Sequence, residues 1–151
     1  MTTFTLTSSA FADGEPIPRK YGYRVENVNP PLSIAGVPEE TQSFALVMDD
    51  PDAMAPAGKV WDHWVVWNVA PTMTEIPEGW NQEGATVGQN SFGESGYGGP
   101  SPPDKAHTYR FFAYALDSTL SLESGATKAD LQAAMEGHVL AESLLTGTYA
   151  P

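Results

Sequence analysis

Three blocks of hydrophobic residues, separated by long stretches of turn residues, organise this chain. Ahead of them, Phe4 and Leu6 alternate with threonines, the period-two pattern of a half-buried strand. Between residues 11 and 40, Pro16, Pro18, Pro30, Pro31 and Pro38 fix φ and remove backbone donors, so extended loop is expected there. SFALVMD (43–49) is a compact apolar run ending in acid, and DHWVVWNV (62–69) is rich in aromatic and β-branched residues. Both read as buried strands. Residues 71–107 are dominated by Gly, Pro, Ser and Asn and read as loops, and TYRFFAYAL (108–116) is the third strong strand.

Beyond that strand the period changes. Thr127 is placed as a helix N-cap, with Asp130 three residues later as a capping box. Leu131, Ala134, Met135, His138, Ala141 and Leu145 follow at helical spacing, and Gly147 is the expected C-cap. Strands outnumber helices and do not alternate with them, which favours a mainly β, antiparallel fold with a peripheral C-terminal α-helix. No repeat or change of composition divides the sequence, so residues 1–151 are expected to form a single domain.

Composition narrows the function. The 14 glycines and 13 prolines agree with a loop-rich β chain, and a hydrophobic content of 41% is enough for one core. Seven basic against 19 acidic residues leave a net charge of −12. Nucleic acid is excluded as a partner, because phosphate neutralisation needs clustered Lys and Arg. Docking onto anionic lipid by bulk charge is disfavoured on the same ground. An anionic ligand must be recognised locally, in a pocket, against the long-range field. The absence of cysteine removes disulfides, zinc–thiolate sites and thiol catalysis. The N-terminal residues show no signal-peptide pattern and no apolar run is long enough to span a membrane, so a cytoplasmic location is expected.

Three stretches put polar residues at the ends of apolar strands: MDDPDA (48–53), WDHW (61–64) and GYGGPSPPDKAHTYR (96–110). Strand ends gather at the rim of a sheet, where loops build pockets. By alternation, His107, Tyr109 and Phe111 share a face, as do His63, Val65 and Trp67, so His63 could join His107 and Tyr109 from a neighbouring strand. A carboxylate at Asp50 would accept a ring N–H from one imidazole and fix its tautomer. The remaining ring N–H groups, the Tyr109 hydroxyl and backbone amides near Gly99 would face a cavity as donors, the arrangement that binds phosphate, carboxylate or sulfate.

DPDA followed by HWVVWN, then GYGGPSPP followed by H-x-Y, resembles the paired signature regions of the phosphatidylethanolamine-binding proteins, most closely their bacterial and archaeal, Raf-kinase-inhibitor-like branch. SSAFADGEPIPRKY (8–21), ENVNPPLSIAGVPEETQSFAL (26–46) and MEGHVLAESLLTGTY (135–149) extend the resemblance over nearly the whole chain. It implies an antiparallel β-sandwich with a pocket for phosphate-like head groups. By position, Asp50, His63 and His107 would line that pocket with Tyr109 beside them, and Gly99, Ser101 and Pro102 would form its loop wall. Asp52 and Pro103 would support the site. A homodimer is implied, and regulation or inhibition of a partner enzyme is a function carried by family analogy alone. Two departures fall on the rim: Met54 and Ala55 stand between DPDA and Pro56, where the family usually has proline directly, and the segment from Pro103 to His107 is shorter than in the animal proteins.

A non-enzymatic ligand-binding protein without cofactor is thus the leading expectation, since no Gly-x-Ser-x-Gly or cysteine nucleophile is present. The alternative is a metal-dependent enzyme using Asp50, His63 and His107, although no spacing pre-aligns those ligands. His138 is expected to be a packed helix histidine, Trp61, Trp64 and Trp67 packing residues, and Asp49 and Asp62 solvated or turn-capping.

Overall fold

The computed structural model describes residues 3–151. Two antiparallel sheets form the frame. The smaller consists of β1 (Thr5–Thr7), β2 (Leu32–Ala35) and β5 (Glu75–Ile76), paired in that order. The larger has the order β6 (Thr86–Val87), β4 (Trp61–Val69), β3 (Ser43–Asp50), β7 (His107–Leu116) and β8 (Val139–Tyr149). A one-turn helix α1 (Met54–Ala57) follows β3, and α2 (Lys128–Met135) precedes β8. Among the described residues no helix is long and apolar enough to cross a membrane.

The apolar runs fill the centre of the large sheet because a strand buried on both faces needs no polar alternation. All eight residues of β3 are buried. Phe44, Leu46 and Met48 face the small sheet and join Phe4, Leu6, Leu32, Ile34 and Ile76 in the main core. Ala45 and Val47 face the other way, with Val65, Trp67 and Leu116, and are covered by Leu131 and Met135 of α2. Burying one such large side chain contributes about 1.5–3 kcal/mol.

Two bulges in β4 shape this sheet. One residue is extra between the pairs Phe44–Val69 and Leu46–Val66, and Asn68 takes a φ of 56° there while bonding both ways to the Leu120 backbone. The second lies between Met48–Trp64 and Asp49–Asp62, leaving His63 unpaired with β3.

The helix is shorter than its sequence pattern suggests. Its N-terminus carries the capping box: Thr127 Oγ1 accepts from the Asp130 backbone N–H at 3.3 Å, and an Asp130 carboxylate oxygen accepts from the Thr127 N–H at 3.0 Å. It ends at Met135, and Gly137 turns the chain at φ 82°. Residues 139–149 then run as β8 along the whole of β7, from Leu116–Val139 to His107–Tyr149. Ala141 and Leu145, four residues apart, fit both the helical and the two-residue period, and the unpaired edge of β7 decides between them. Gly147 is a strand residue, not a C-cap; a Cβ there would come within 2.6 Å of Ile17 and 2.9 Å of Phe11. His138 lies half-buried outside the helix, with Nδ1 2.8 Å from an Asp117 carboxylate oxygen. Within the two long proline- and glycine-rich segments, the short strands β2, β5 and β6 add regular structure that period-two patterning did not reveal.

Candidate functional site

The ends of β3, β4 and β7 that carry polar residues meet at one end of the large sheet. They border a cleft of about 320 Å³. Asp50, His63, His107 and Tyr109 form its polar floor, Ser101, Pro102 and Pro103 one wall, and Ala53, Pro56 and Ala57 another. Tyr23, Trp61 and Phe92 add an aromatic side, with Phe92 stacked on Tyr23 at 4.0 Å between ring centroids and edge-on to Trp61 and His63. Arg24 stands at the edge, its Nε donating to the Ser101 hydroxyl at 3.2 Å.

Each floor residue is aimed by local structure. Asp50 ends β3; one carboxylate oxygen accepts from the Asp52 backbone N–H at 2.9 Å, capping the DPDA turn. Asp52 in turn accepts from the Thr108 N–H at 2.8 Å, tying that turn to the start of β7. His107 and Tyr109 lie two apart on β7 and face the same side. His63 reaches that side by another route. Simple alternation groups it with Val65 and Trp67, which pack under α2, but the bulge turns it over beside Trp64, edge-on to Tyr109 at 5.2 Å. The grouping of His63 with Val65 and Trp67 is therefore corrected.

The two histidines are electrostatic opposites. His63 Nδ1 donates to the Gly98 carbonyl oxygen at 2.6 Å, while the Gly98 N–H donates back to the His63 carbonyl at 2.8 Å. Burial holds the His63 pKa below its ordinary value, an effect only partly offset by the Gly98 carbonyl and the charge of Asp50. With Nδ1 carrying the proton, Nε2 is left as a lone pair, and it makes no hydrogen bond among the described residues. His107 has Nδ1 2.6 Å from one Asp50 oxygen and Nε2 2.7 Å from one Asp104 oxygen. Only a doubly protonated ring donates to both. Burial alone would lower its pKa, but hydrogen bonds and charge from Asp50 and Asp104 outweigh it and raise the value. Among the described residues the buried Tyr109 hydroxyl makes no well-formed hydrogen bond, although Asp50 and the Ser101 backbone lie near it, and burial with the Asp50 charge keeps it protonated. It is a buried donor beside the cleft that no well-formed hydrogen bond satisfies.

This joint geometry can be set against known proteins. The family model described as phosphatidylethanolamine-binding protein matches residues 7–150. The chain belongs to the phosphatidylethanolamine-binding protein family. A UPF0098 protein of Chlamydia muridarum is 47% identical over 146 residues, covering 95% of this chain and 97% of that one. Among solved structures, a phosphatidylethanolamine-binding protein homologue from Chlamydia trachomatis matches with a TM-score of 0.92 and 44% identity over 99% of this chain and 98% of the other. E. coli YbcL, described as a member of the mammalian family, matches with a TM-score of 0.89 and 32% identity over 98% of each chain. The mainly β fold with two antiparallel sheets and a short helix near the C-terminus is that of this family of ligand-binding proteins.

Within this family frame, the structure gathers Asp50, His63, Ser101, Pro102, Pro103, His107 and Tyr109 around the cleft. Gly99 stands behind the wall. Its N–H donates to the Asn27 side chain at 2.7 Å, and a Cβ there would meet the Tyr21 carbonyl oxygen, so it shapes the loop rather than offering a donor. The Met54–Ala55 departure falls on α1, whose Pro56 and Ala57 are lining residues. Asp104, Arg24, Tyr23 and Phe92 escaped the sequence reading. They sit in irregular segments without periodicity, and only Asp104, three residues before His107, carried a local hint. Asp49 and Asp62 are neither solvated nor turn caps: Asp49 pairs with Arg110 and Lys128, and Lys128 lies 2.8 Å from Asp62. Among the described residues no three His, Asp or Glu side chains are grouped to hold a metal ion. Both His107 nitrogens and one His63 nitrogen are already committed, so the metalloenzyme alternative is not favoured.

Proposed function

We propose that this protein is a non-enzymatic binding protein whose cleft takes a small anion, phosphate or a phosphorylated head group. The distribution of cations carries the reading. Three of the seven, Lys20, Arg110 and Lys128, are paired with carboxylates. The other four, Arg19, Arg24, Lys59 and Lys105, have no carboxylate partner among the described residues, and each is in the cleft, in the groove beside it, against a lining residue or close in the chain to one. Arg24 lines it, and Arg19 joins Arg24 in the adjoining groove. Lys59 lies over the ring of the lining residue Trp61, and Lys105 sits between Pro103 and His107. In a chain of net charge −12, cations without carboxylate partners gathered around one concavity favour the local approach of an anion. Inside, the Tyr109 hydroxyl supplies a fixed donor, and His63 becomes one when protonated.

A two-dimensional NMR titration with inorganic phosphate and phosphoethanolamine tests this. His63 and His107 ring signals should shift and saturate, while the distant His138 stays still. Silence from both at millimolar ligand would overturn the reading. A homodimer belongs to the same proposal: β8 is the outer strand of its sheet and exposes Val139, Leu140 and Leu144, an apolar surface for a second copy that sedimentation at micromolar concentration would detect.

A further inference from the structure

We infer that Asp104 is an internal stand-in for the ligand: its carboxylate occupies the anion position at His107 Nε2, so that an incoming anion must displace it. The inference rests on the anion-cleft reading above and adds to it a competitor and a selectivity filter.

An imidazolium has two N–H donors, and both are taken here, by Asp50 at 2.6 Å and Asp104 at 2.7 Å. The two carboxylates are held differently. Asp50 ends a central strand, is buried, and has its second oxygen fixed by the Asp52 N–H. Asp104 reaches the ring from the irregular segment between Pro102 and Ala106, and its side chain is 38% exposed. An ion pair open to water on one side is weak and reversible. A ligand anion added beside both carboxylates would place three negative groups around one cation, which Coulomb repulsion opposes. The exchange in which Asp104 swings into water and the ligand takes its place keeps the count balanced.

Selectivity follows from what is displaced. A carboxylate ligand offers His107 no more than Asp104 already gives, so its binding gains little. A phosphate monoester carries up to two charges and three acceptor oxygens, enough to engage His107 together with the Tyr109 hydroxyl. The favoured class is therefore the dianionic phosphate monoester or free phosphate, ahead of carboxylates and singly charged phosphodiesters.

The test is calorimetric and NMR titration of the full chain with inorganic phosphate, phosphoethanolamine and acetate, run both near pH 6, where His107 stays charged, and near pH 7.5, where the phosphates are largely dianionic. Asp104→Asn and Asp104→Ala should tighten phosphate binding about two- to tenfold, the range released by losing one partly exposed charged pair. The proportional gain should be similar for acetate, because the same competitor is removed for both, while phosphate stays the tighter ligand. Glu94→Gln is the control, because Glu94 accepts from the Tyr23 hydroxyl nearby without touching His107. It should change affinity less than twofold. Unchanged or weaker phosphate binding in both Asp104 variants, with normal binding by the parent, would overturn the inference and leave the cleft reading standing. An equal gain from Glu94→Gln would do the same, since the effect would then be general field. No phosphate response in parent or variants would sink both.

Discussion

Asp49 and Asp50 are consecutive residues of one strand, both buried, and they point to opposite faces of the large sheet. Asp49 is 2% exposed and faces α2, where Arg110 Nε and Nη2 donate to its two oxygens at 2.8 and 3.0 Å and Lys128 Nζ adds a third contact at 3.1 Å. Every partner is a permanent cation, and Asp49 lines neither the cleft nor the groove beside it. Asp50 faces the cleft and is paired through a titratable imidazole that is shared with an exposed carboxylate. Around it stand an unpartnered hydroxyl and a ring nitrogen without a bond. The first arrangement is closed and serves folding. The second is left incomplete, and buried polar groups left incomplete beside a concavity mark a place where something else completes them.

That contrast can be broken most forcefully from the Asp49 side. Asp49→Ala would leave Arg110 and Lys128 as neighbours without the buried counter-charge, and a loss of about 3–5 kcal/mol is expected in urea unfolding. Phosphate binding by the folded fraction should persist. A loss below about 1 kcal/mol would mean that the two carboxylates are equally dispensable and that the contrast has no energetic content.

Next in size is the pH dependence of stability. His63, with its pKa lowered by burial, contributes stability that is complete above about pH 6.5 and is lost as pH falls through the lowered value. His107, with its pKa raised by Asp50 and Asp104 despite burial, contributes stability that is complete below about pH 6.5 and is lost as pH rises through the raised value. A tenfold change in a ring's proton affinity on folding corresponds to about 1.4 kcal/mol. In unfolding curves recorded from pH 5 to 9, His63→Gln should flatten the acid limb and His107→Gln the alkaline limb. Identical flattening by both would show that the rings do not differ in charge.

The smallest effect is the most diagnostic. Tyr109→Phe removes a buried hydroxyl that has no partner, so stability should be unchanged or rise slightly. Phosphate affinity should drop by about 0.5–1.5 kcal/mol, the net value of one hydrogen bond. A stability loss beyond that range would make the hydroxyl structural, like the groups around Asp49.

Much of the fold was legible in the chain alone. The strands read at 43–49, 62–69 and 108–116 correspond to β3, β4 and β7 within a residue at each end, because continuous apolar runs flanked by turn residues have few other solutions. The capping box at Thr127 and Asp130 was equally local. Asp50, His63, His107 and Tyr109 could be named because each sits at the polar end of such a run. What failed had two causes. A pattern compatible with two periods, as at Ala141 and Leu145, extended the helix into what is β8. One extra residue in β4 reversed the face of His63, and a bulge has no signature in a row of aromatic and aliphatic residues.

The sequence by itself therefore determined the apolar runs, their ends, the caps and the family, since these depend on residues close together in the chain or on a pattern spread over all of it. The tertiary structure alone decided that the last eleven residues before Ala150 pair with β7, that His63 turns toward Tyr109, that Asp104 reaches the His107 ring and that Arg24 lines the cleft. Those are contacts between residues far apart in the chain or in unpatterned loops. Their free energy comes from burial and pairing across the fold, which no local period encodes.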